Sequence, residues 1–421
     1  MTENGTRRVV ITGAGAITPI GNSVGEFWTN LLAGVSGADR ITAFDPTEYG
    51  SQIACEVKDF DPGAHFEKGE IKKLDRFAQL SIVAAREAFT SARLDLTQTD
   101  ALRVGVIVGC GIGGIGSLEE SVETLLSKGP RRVSPFVIPK IILNMASGHI
   151  SIDLGVKGFN SAVATACATG THALGDSLKI IQRGVADVML AGGTEAAIHR
   201  VSVAGFGNMK ALSTRNDDPK HASRPFDKGR DGFVIGEGAA VLVLEEREHA
   251  LKRGATILAE LIGYGASGDA YHMTAPDPGG NGAARSIAGC IQDAGIDPSD
   301  VDHINAHGTS TPLNDKLETA SIKVALGEEN ARRILITSNK SMVGHTLGAA
   351  GAIEALSTAL TLRDQIVPPT INYEEPDPEC DLDYTPNEAR KAKVDVALSN
   401  SLGFGGHNAT IALRRHGDDA A

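Results

Sequence analysis

Short runs of apolar, largely β-branched residues punctuate the chain, each bounded by glycine or a polar turn. They span Val9–Thr12, Val104–Val108, Val188–Ala191, Ala240–Leu244, His303–Asn305, Ile334–Ser338 and Val394–Leu398. Runs of this length, apolar on both faces, predict strands buried in a sheet. Between them lie helical patterns, as in Leu74–Ala92 and Gly170–Gly184. The alternation predicts an α/β protein with a parallel or mixed sheet. Two pairs of segments look alike at nearly the same separation. RVGVIVGCGIGG at Arg103 pairs with VDHINAHGTSTP at Val301, and VMLAGGTE at Val188 with VALSNSLGFGG at Val396. That spacing fits two halves of one α/β unit meeting near residues 250–260. The bland reading, that all α/β strands look alike, fits the pattern as well.

Composition narrows the picture. With 421 residues, 42% hydrophobic and 22% charged, the chain is globular rather than disordered. Forty Lys and Arg against 52 Asp and Glu give a net charge of −12, which argues against a non-specific nucleic-acid binder. No stretch approaches the roughly 20 apolar residues of a membrane span. The apolar start after Arg7 and Arg8 is broken by Thr12, Thr18, Pro19 and Gly21, so it reads poorly as a signal peptide. The five cysteines form no CxxC pair. A reduced, cytoplasmic setting is the expectation.

Several motifs carry candidate chemistry. Gly111, Gly113 and Gly116 match GxGxxG, but no second strand ending in an acid follows, so a dinucleotide site is not expected. Cys167 lies in VATACATGTHALGDSL, where an apolar run turns into a helix. A helix N-terminus offers partial positive charge and free N–H groups, which lower a thiol's pKa and favour a nucleophile. A small buried hydrophobe is the ordinary alternative for a free cysteine. His307 follows a short strand, and His345 is placed where a strand ending at Lys340 turns into a helix that Gly344-His345 opens. A histidine at a helix N-terminus is biased to the neutral form. Two neutral imidazoles would offer N–H donors to a carbonyl gaining charge. His303 and His307 are too far apart along a strand, about 13 Å, for one metal, HExxH is absent, and no metal is expected.

Taken in chain order, TACATG, NAHGTST, NKSMVGHTLGAAG and NSLGFGGHN resemble the β-ketoacyl-acyl carrier protein synthases, the elongating type II enzymes of bacterial fatty-acid synthesis best of all. The resemblance runs from about Arg8 to about Arg414 and includes ITGAGAITPIGN, SRPFDKGRDGFVIGEGAAVLVLE and VPPTINYEEPDPECDLDY. It implies a thiolase-like fold, two similar α/β halves stacked as five layers αβαβα, with halves at residues 1–255 and 256–421. It implies that Cys167 accepts the acyl group and that His307 and His345 promote decarboxylation of a malonyl unit. Lys340 is the site lysine, Glu354 its associated glutamate, and Asp315 and Glu318 acids of the same loop as His307. Phe404 is the gate, its N–H joining that of Cys167 in an oxyanion hole, and Ile112 and Phe206 line the acyl pocket. Lys72, Lys73, Arg76, Arg131, Arg132 and Lys210 match positions near the docking mouth for acyl carrier protein. The family further implies a homodimer and no redox cofactor. Leu402 and His407 depart from the residues many relatives carry beside the gate, Phe and Thr, so chain-length preference is left open. A ketosynthase of polyketide or specialised lipid synthesis would share this chemistry. A non-catalytic chain-length subunit would lack the nucleophile, and a degradative thiolase would use a second catalytic cysteine.

Overall fold

The computed structural model describes residues 6–417. Ten of its strands are β1 (Val9–Ile17), β2 (Val104–Cys110), β3 (Asn160–Ser161), β4 (Val188–Glu195) and β5 (Gly238–Glu246), then β6 (Ala259–Gly268), β7 (His303–Asn305), β8 (Leu335–Thr337), β9 (Val396–Gly403) and β10 (His407–Arg414). They hydrogen-bond in the order β8-β7-β9-β10-β6-β1-β5-β4-β2-β3. Read outward from the β1–β6 seam, the two sides are the same arrangement repeated. β2 and β4 are parallel, as are β7 and β9. β5 lies antiparallel between β1 and β4, as β10 does between β6 and β9. The outer pairs β2–β3 and β7–β8 are both parallel. The look-alike segments at Arg103 and Val301 carry β2 and β7, and those at Val188 and Val396 carry β4 and β9. Each pair therefore occupies equivalent places in the repeat.

Six helices complete the layers: α1 (Arg76–Ser91), α2 (Ile115–Lys128), α3 (Thr169–Gln182), α4 (Asn281–Ala294), α5 (Pro312–Leu326) and α6 (Ala350–Asp364). Asp75 caps α1 by accepting the Phe77 N–H. Phe77, Leu80, Ala84 and Ala88 are buried with the N-terminal strands in one core cluster. A Cβ on Gly15 would stand 1.9 Å from the Ala84 carbonyl, so the glycines of ITGAGAITP let α1 lie directly on the β1 backbone. α4 packs on β6 and β10 in the same way, with α5 beside it. α3 and α6 form the middle layer, and α6 is buried continuously from Ala350 to Leu362. A helix without a polar face is what enclosure between two sheet layers requires. The result is αβαβα.

The structure differs from the sequence reading in places. β6 and β10 carry no uniform apolar run; AELIGYGASG is interrupted by glycine and only partly buried. Lys340 does not end a strand but opens a short helix, Lys340–Val343. His345 lies beyond it and bridges to Ile235, and α6 begins only after the turn Leu347–Ala349. The apolar start is the fully buried β1. Among the described residues no helix is long and apolar enough to cross a membrane.

Candidate active site

The segment leading into α3 turns sharply at Ala166, a non-glycine residue at φ 49°. Such a conformation is strained for an L-residue and persists only where its surroundings fix it. Here Thr169 Oγ1 accepts the Thr165 N–H at 2.8 Å, and the Thr165 carbonyl accepts the Ala168 N–H at 3.1 Å. The turn Ala166–Ala168 runs straight into α3 and holds Cys167 at the helix entrance, with 6% of the residue exposed. The expected depression of the thiol's pKa does not follow. Burial pushes it up to about 11, against the pull of the Phe404 N–H and Lys340. Desolvation of a buried thiolate outweighs the pull of a helix end. The resting group is a thiol, so its alkylation by iodoacetamide should rise about tenfold per pH unit between pH 7 and 9. A rate already level across that range would show that the thiolate is the resting form.

His307 and His345 arrive from the other half of the molecule. A ring nitrogen of each and the Cys167 sulfur all lie within 4.8 Å of one another. The two imidazoles meet edge to face, 5.3 Å between centroids, and Phe233 meets His345 edge to face at 5.2 Å. Their tautomers follow from their partners. Lys340 Nζ, the charged donor, reaches His307 Nδ1 at 3.4 Å, and the Leu347 N–H reaches His345 Nδ1 at 3.4 Å. Both rings then carry their proton on Nε2. Burial and the Lys340 charge hold both pKa values well below the usual histidine range, with His345 also acting on His307. The neutrality expected of His345 is present, but its cause is burial beside a lysine rather than a helix end.

The carboxylates divide by task. Glu354 is ion-paired with Lys340, both fully buried. Glu318 accepts the His307 N–H at 2.7 Å and the Gly308 N–H at 2.8 Å, so it fixes the loop rather than the imidazole. Burial pushes its carboxyl up to about 7. Asp315 is further removed: it accepts the Phe226 N–H at 2.8 Å and faces Arg230. Neither acid touches either ring.

A cavity of about 500 Å³ contains Cys167, both histidines, Ile112, Phe206 and Phe404. Phe404 stands 6.4 Å from Phe206 between ring centroids. The backbone N–H groups of Phe404 and Cys167 pull the thiol's pKa down against its burial. Of the basic set, Lys210 lines the cavity and is exposed. Lys72, Lys73, Arg131 and Arg132 are exposed. Arg76 does not fit a free docking charge, because Glu237 takes its guanidinium in a two-point pair at 2.7 and 2.8 Å. Sequence reasoning missed Phe233 and Glu195 in the cavity wall. For Glu195 there was a signal, an acid closing an otherwise apolar buried strand.

The comparisons match this geometry. Residues 6–250 match the family described as beta-ketoacyl synthase, N-terminal domain, and residues 258–374 its C-terminal domain. The chain belongs to the β-ketoacyl synthase family. The 3-oxoacyl-[acyl-carrier-protein] synthase 2 of Synechocystis is 52% identical over 97% of this chain and 98% of its own. That of Coxiella burnetii is 53% identical over 97% of this chain and 99% of its own. Among solved structures, the ishigamide ketosynthase/chain length factor superposes with a TM-score of 0.92, 39% identity, 98% of this chain and all of that one. A type II polyketide ketosynthase solved with its acyl-carrier protein, bound to the hexaketide, gives 0.91 at 37% identity, again over 98% of this chain and 100% of the other.

Proposed function

We propose that this chain elongates acyl groups held on acyl carrier protein, by decarboxylative condensation with malonyl-carrier, in fatty-acid synthesis. The observation that carries the reading is the convergence of buried Cys167, His307 and His345 within 4.8 Å in one cavity. The Cys167 sulfur adds to the thioester carbonyl of the acyl donor. The oxyanion faces the N–H groups of Cys167 and Phe404, and donors of this kind contribute about 3–4 kcal/mol each. Collapse expels the carrier thiolate, which leaves with the proton Cys167 has lost. Malonyl-carrier then enters. Its bond to the carboxylate carbon breaks, CO2 departs, and the electron pair becomes an enolate. The enolate oxygen accepts from Nε2 of His307 and His345. Its carbon attacks the acyl-Cys167 carbonyl, forming the new carbon–carbon bond and returning the sulfur as a leaving group. Lys340 and Glu354 keep the donors in place without entering the bond changes. Nothing in this sequence calls for a redox cofactor.

The reading favours fatty-acid synthesis over a polyketide pathway because relatives named 3-oxoacyl-[acyl-carrier-protein] synthase 2 are 52–53% identical, against 37% for the type II polyketide ketosynthase. Acyl carrier protein is acidic, as is this chain at −12, so docking falls to local basic groups such as Lys210, Arg131 and Arg132. We read the active form as a cytoplasmic homodimer. The edge strand β3 leaves one side unpaired, and Ile152 (77% exposed) and Phe159 (41%) flank it, which suits a second copy.

The test is intact-protein mass after incubation with acyl-carriers of graded length. One acyl mass should add and map to Cys167, and Cys167→Ala should add none. An acyl group located on Cys110 or Cys290 would overturn the assignment.

A further inference from the structure

β4 ends in Glu195, whose residue is 0% exposed. No lysine or arginine pairs with it among the described contacts. Its carboxylate is held instead by four donors from two segments of the chain. Oε2 accepts the Gly111 N–H at 2.8 Å and the Gly348 N–H at 3.1 Å. Oε1 accepts the Ile112 N–H at 3.1 Å and the Cys110 thiol at 3.0 Å. Burial pushes the carboxyl above its usual range while these four donors pull it back.

The donors come from both halves of the molecule. Gly111 and Ile112 follow β2 and form a wall of the acyl cavity, while Gly348 sits in the turn that follows His345. Both glycines crowd the acid: a Cβ on Gly111 would stand 2.6 Å from Oε2, and one on Gly348 2.8 Å. The carboxylate thus bridges the turn that bounds the acyl chain and the turn that carries His345. It also lines the cavity that holds the nucleophile.

We propose that Glu195 is a positioning residue: it fixes the Ile112 turn against the His345 turn, and as a buried anion it opposes ionisation of Cys167 until an acyl donor arrives. This rests on the condensing reading for its purpose but not for its geometry. Around Cys167 the other ionisable groups are His307, His345, Lys340, Glu354, Glu318 and Cys110. The histidines are neutral and Lys340 is paired with Glu354, while Glu195 lines the same cavity as the sulfur and no lysine or arginine pairs with it among the described contacts. Its effect on the thiol is in the upward direction.

Two variants separate charge from reach. Glu195→Gln removes the charge while its amide oxygen still serves Gly111 and Gly348; its NH2 group can donate to the Cys110 sulfur but leaves the Ile112 N–H without its acceptor. Glu195→Asp keeps the charge but is one methylene short of holding both turns. The probe is iodoacetamide, with adducts mapped to Cys167, over pH 7 to 9, together with condensation by the same preparations; melting temperatures establish that each variant is folded. Glu195→Gln should move the rising limb to lower pH by about one unit, roughly tenfold faster alkylation at a given pH. Glu195→Asp should leave that limb where it is in the parent but lower kcat for condensation at least tenfold. An unmoved limb in Glu195→Gln overturns the electrostatic part, and parental kcat in Glu195→Asp overturns the positioning part. The parent enzyme in the same condensation assay reports separately on the proposed function, since the alkylation limb needs no acyl donor.

Discussion

Cys167→Gln should lose condensation and still release CO2 from malonyl-carrier without any acyl donor. The substitution removes the nucleophile and leaves both Nε2 donors in place, since neither His307 nor His345 takes its tautomer from the sulfur; Lys340 and the Leu347 N–H set them. The glutamine amide stands where the acyl thioester would, and so mimics the occupied state in which the malonyl unit normally loses its carboxylate. His307→Ala or His345→Ala in that background removes one of two donors to the enolate oxygen. The expected loss in CO2 release is about 10²–10³-fold, the usual cost of one oxyanion donor. Acetyl-carrier production is the readout. Double variants that decarboxylate as fast as Cys167→Gln would mean the imidazoles do not stabilise the enolate.

The second large effect concerns stability. Lys340 and Glu354 are 1% exposed each and ion-paired. Breaking a buried pair from one side leaves an uncompensated charge, so Lys340→Met should cost about 3–5 kcal/mol. Removing both charges with Lys340→Met and Glu354→Leu should recover most of that stability and none of the decarboxylation, because His307 loses its Nδ1 partner either way. The pH dependence has a definite sign. Burial already holds the Glu354 carboxyl above its ordinary value, and loss of Lys340 removes the attraction that lowers it. A carboxyl raised in the folded state binds its proton more tightly there than in the unfolded chain. Its contribution is retained at low pH and lost as pH rises through the folded value. The deficit of Lys340→Met should therefore shrink on acidification from pH 8 toward the ordinary carboxylate range. Denaturant melts at several pH values check this, and a deficit independent of pH would place the loss in packing rather than charge.

The N-terminal half was the more legible in sequence. β1, β2, β4 and β5 are apolar on both faces, and burial on both faces writes an unbroken run into the chain. β6 spends three of its ten positions on glycine and faces solvent toward its end, so nothing in its pattern separates it from a loop. Motif order singled out Cys167, His307, His345 and Lys340, and the fold places them within reach of one another. Their electrostatics were not legible. A helix entrance and a buried sulfur push a thiol in opposite directions, and which prevails depends on packing that no local window records. Glu195 was missed for a related reason: three of its four partners are backbone N–H groups, which every residue but proline possesses and which leave no mark on the sequence.

The repeated architecture has a consequence at its centre. The middle-layer helices are entered by matching turns, Ala166-Cys167-Ala168 before α3 and Leu347-Gly348-Ala349 before α6, each begun by a non-glycine residue at φ 49°. Position 348 is thus the counterpart of Cys167 in the other half. A side chain there would begin 2.5 Å from the Gly111 nitrogen. The doubled fold has room for a side chain at this place on one side, not on both. One turn presents a thiol, and the other presents bare backbone whose N–H serves Glu195.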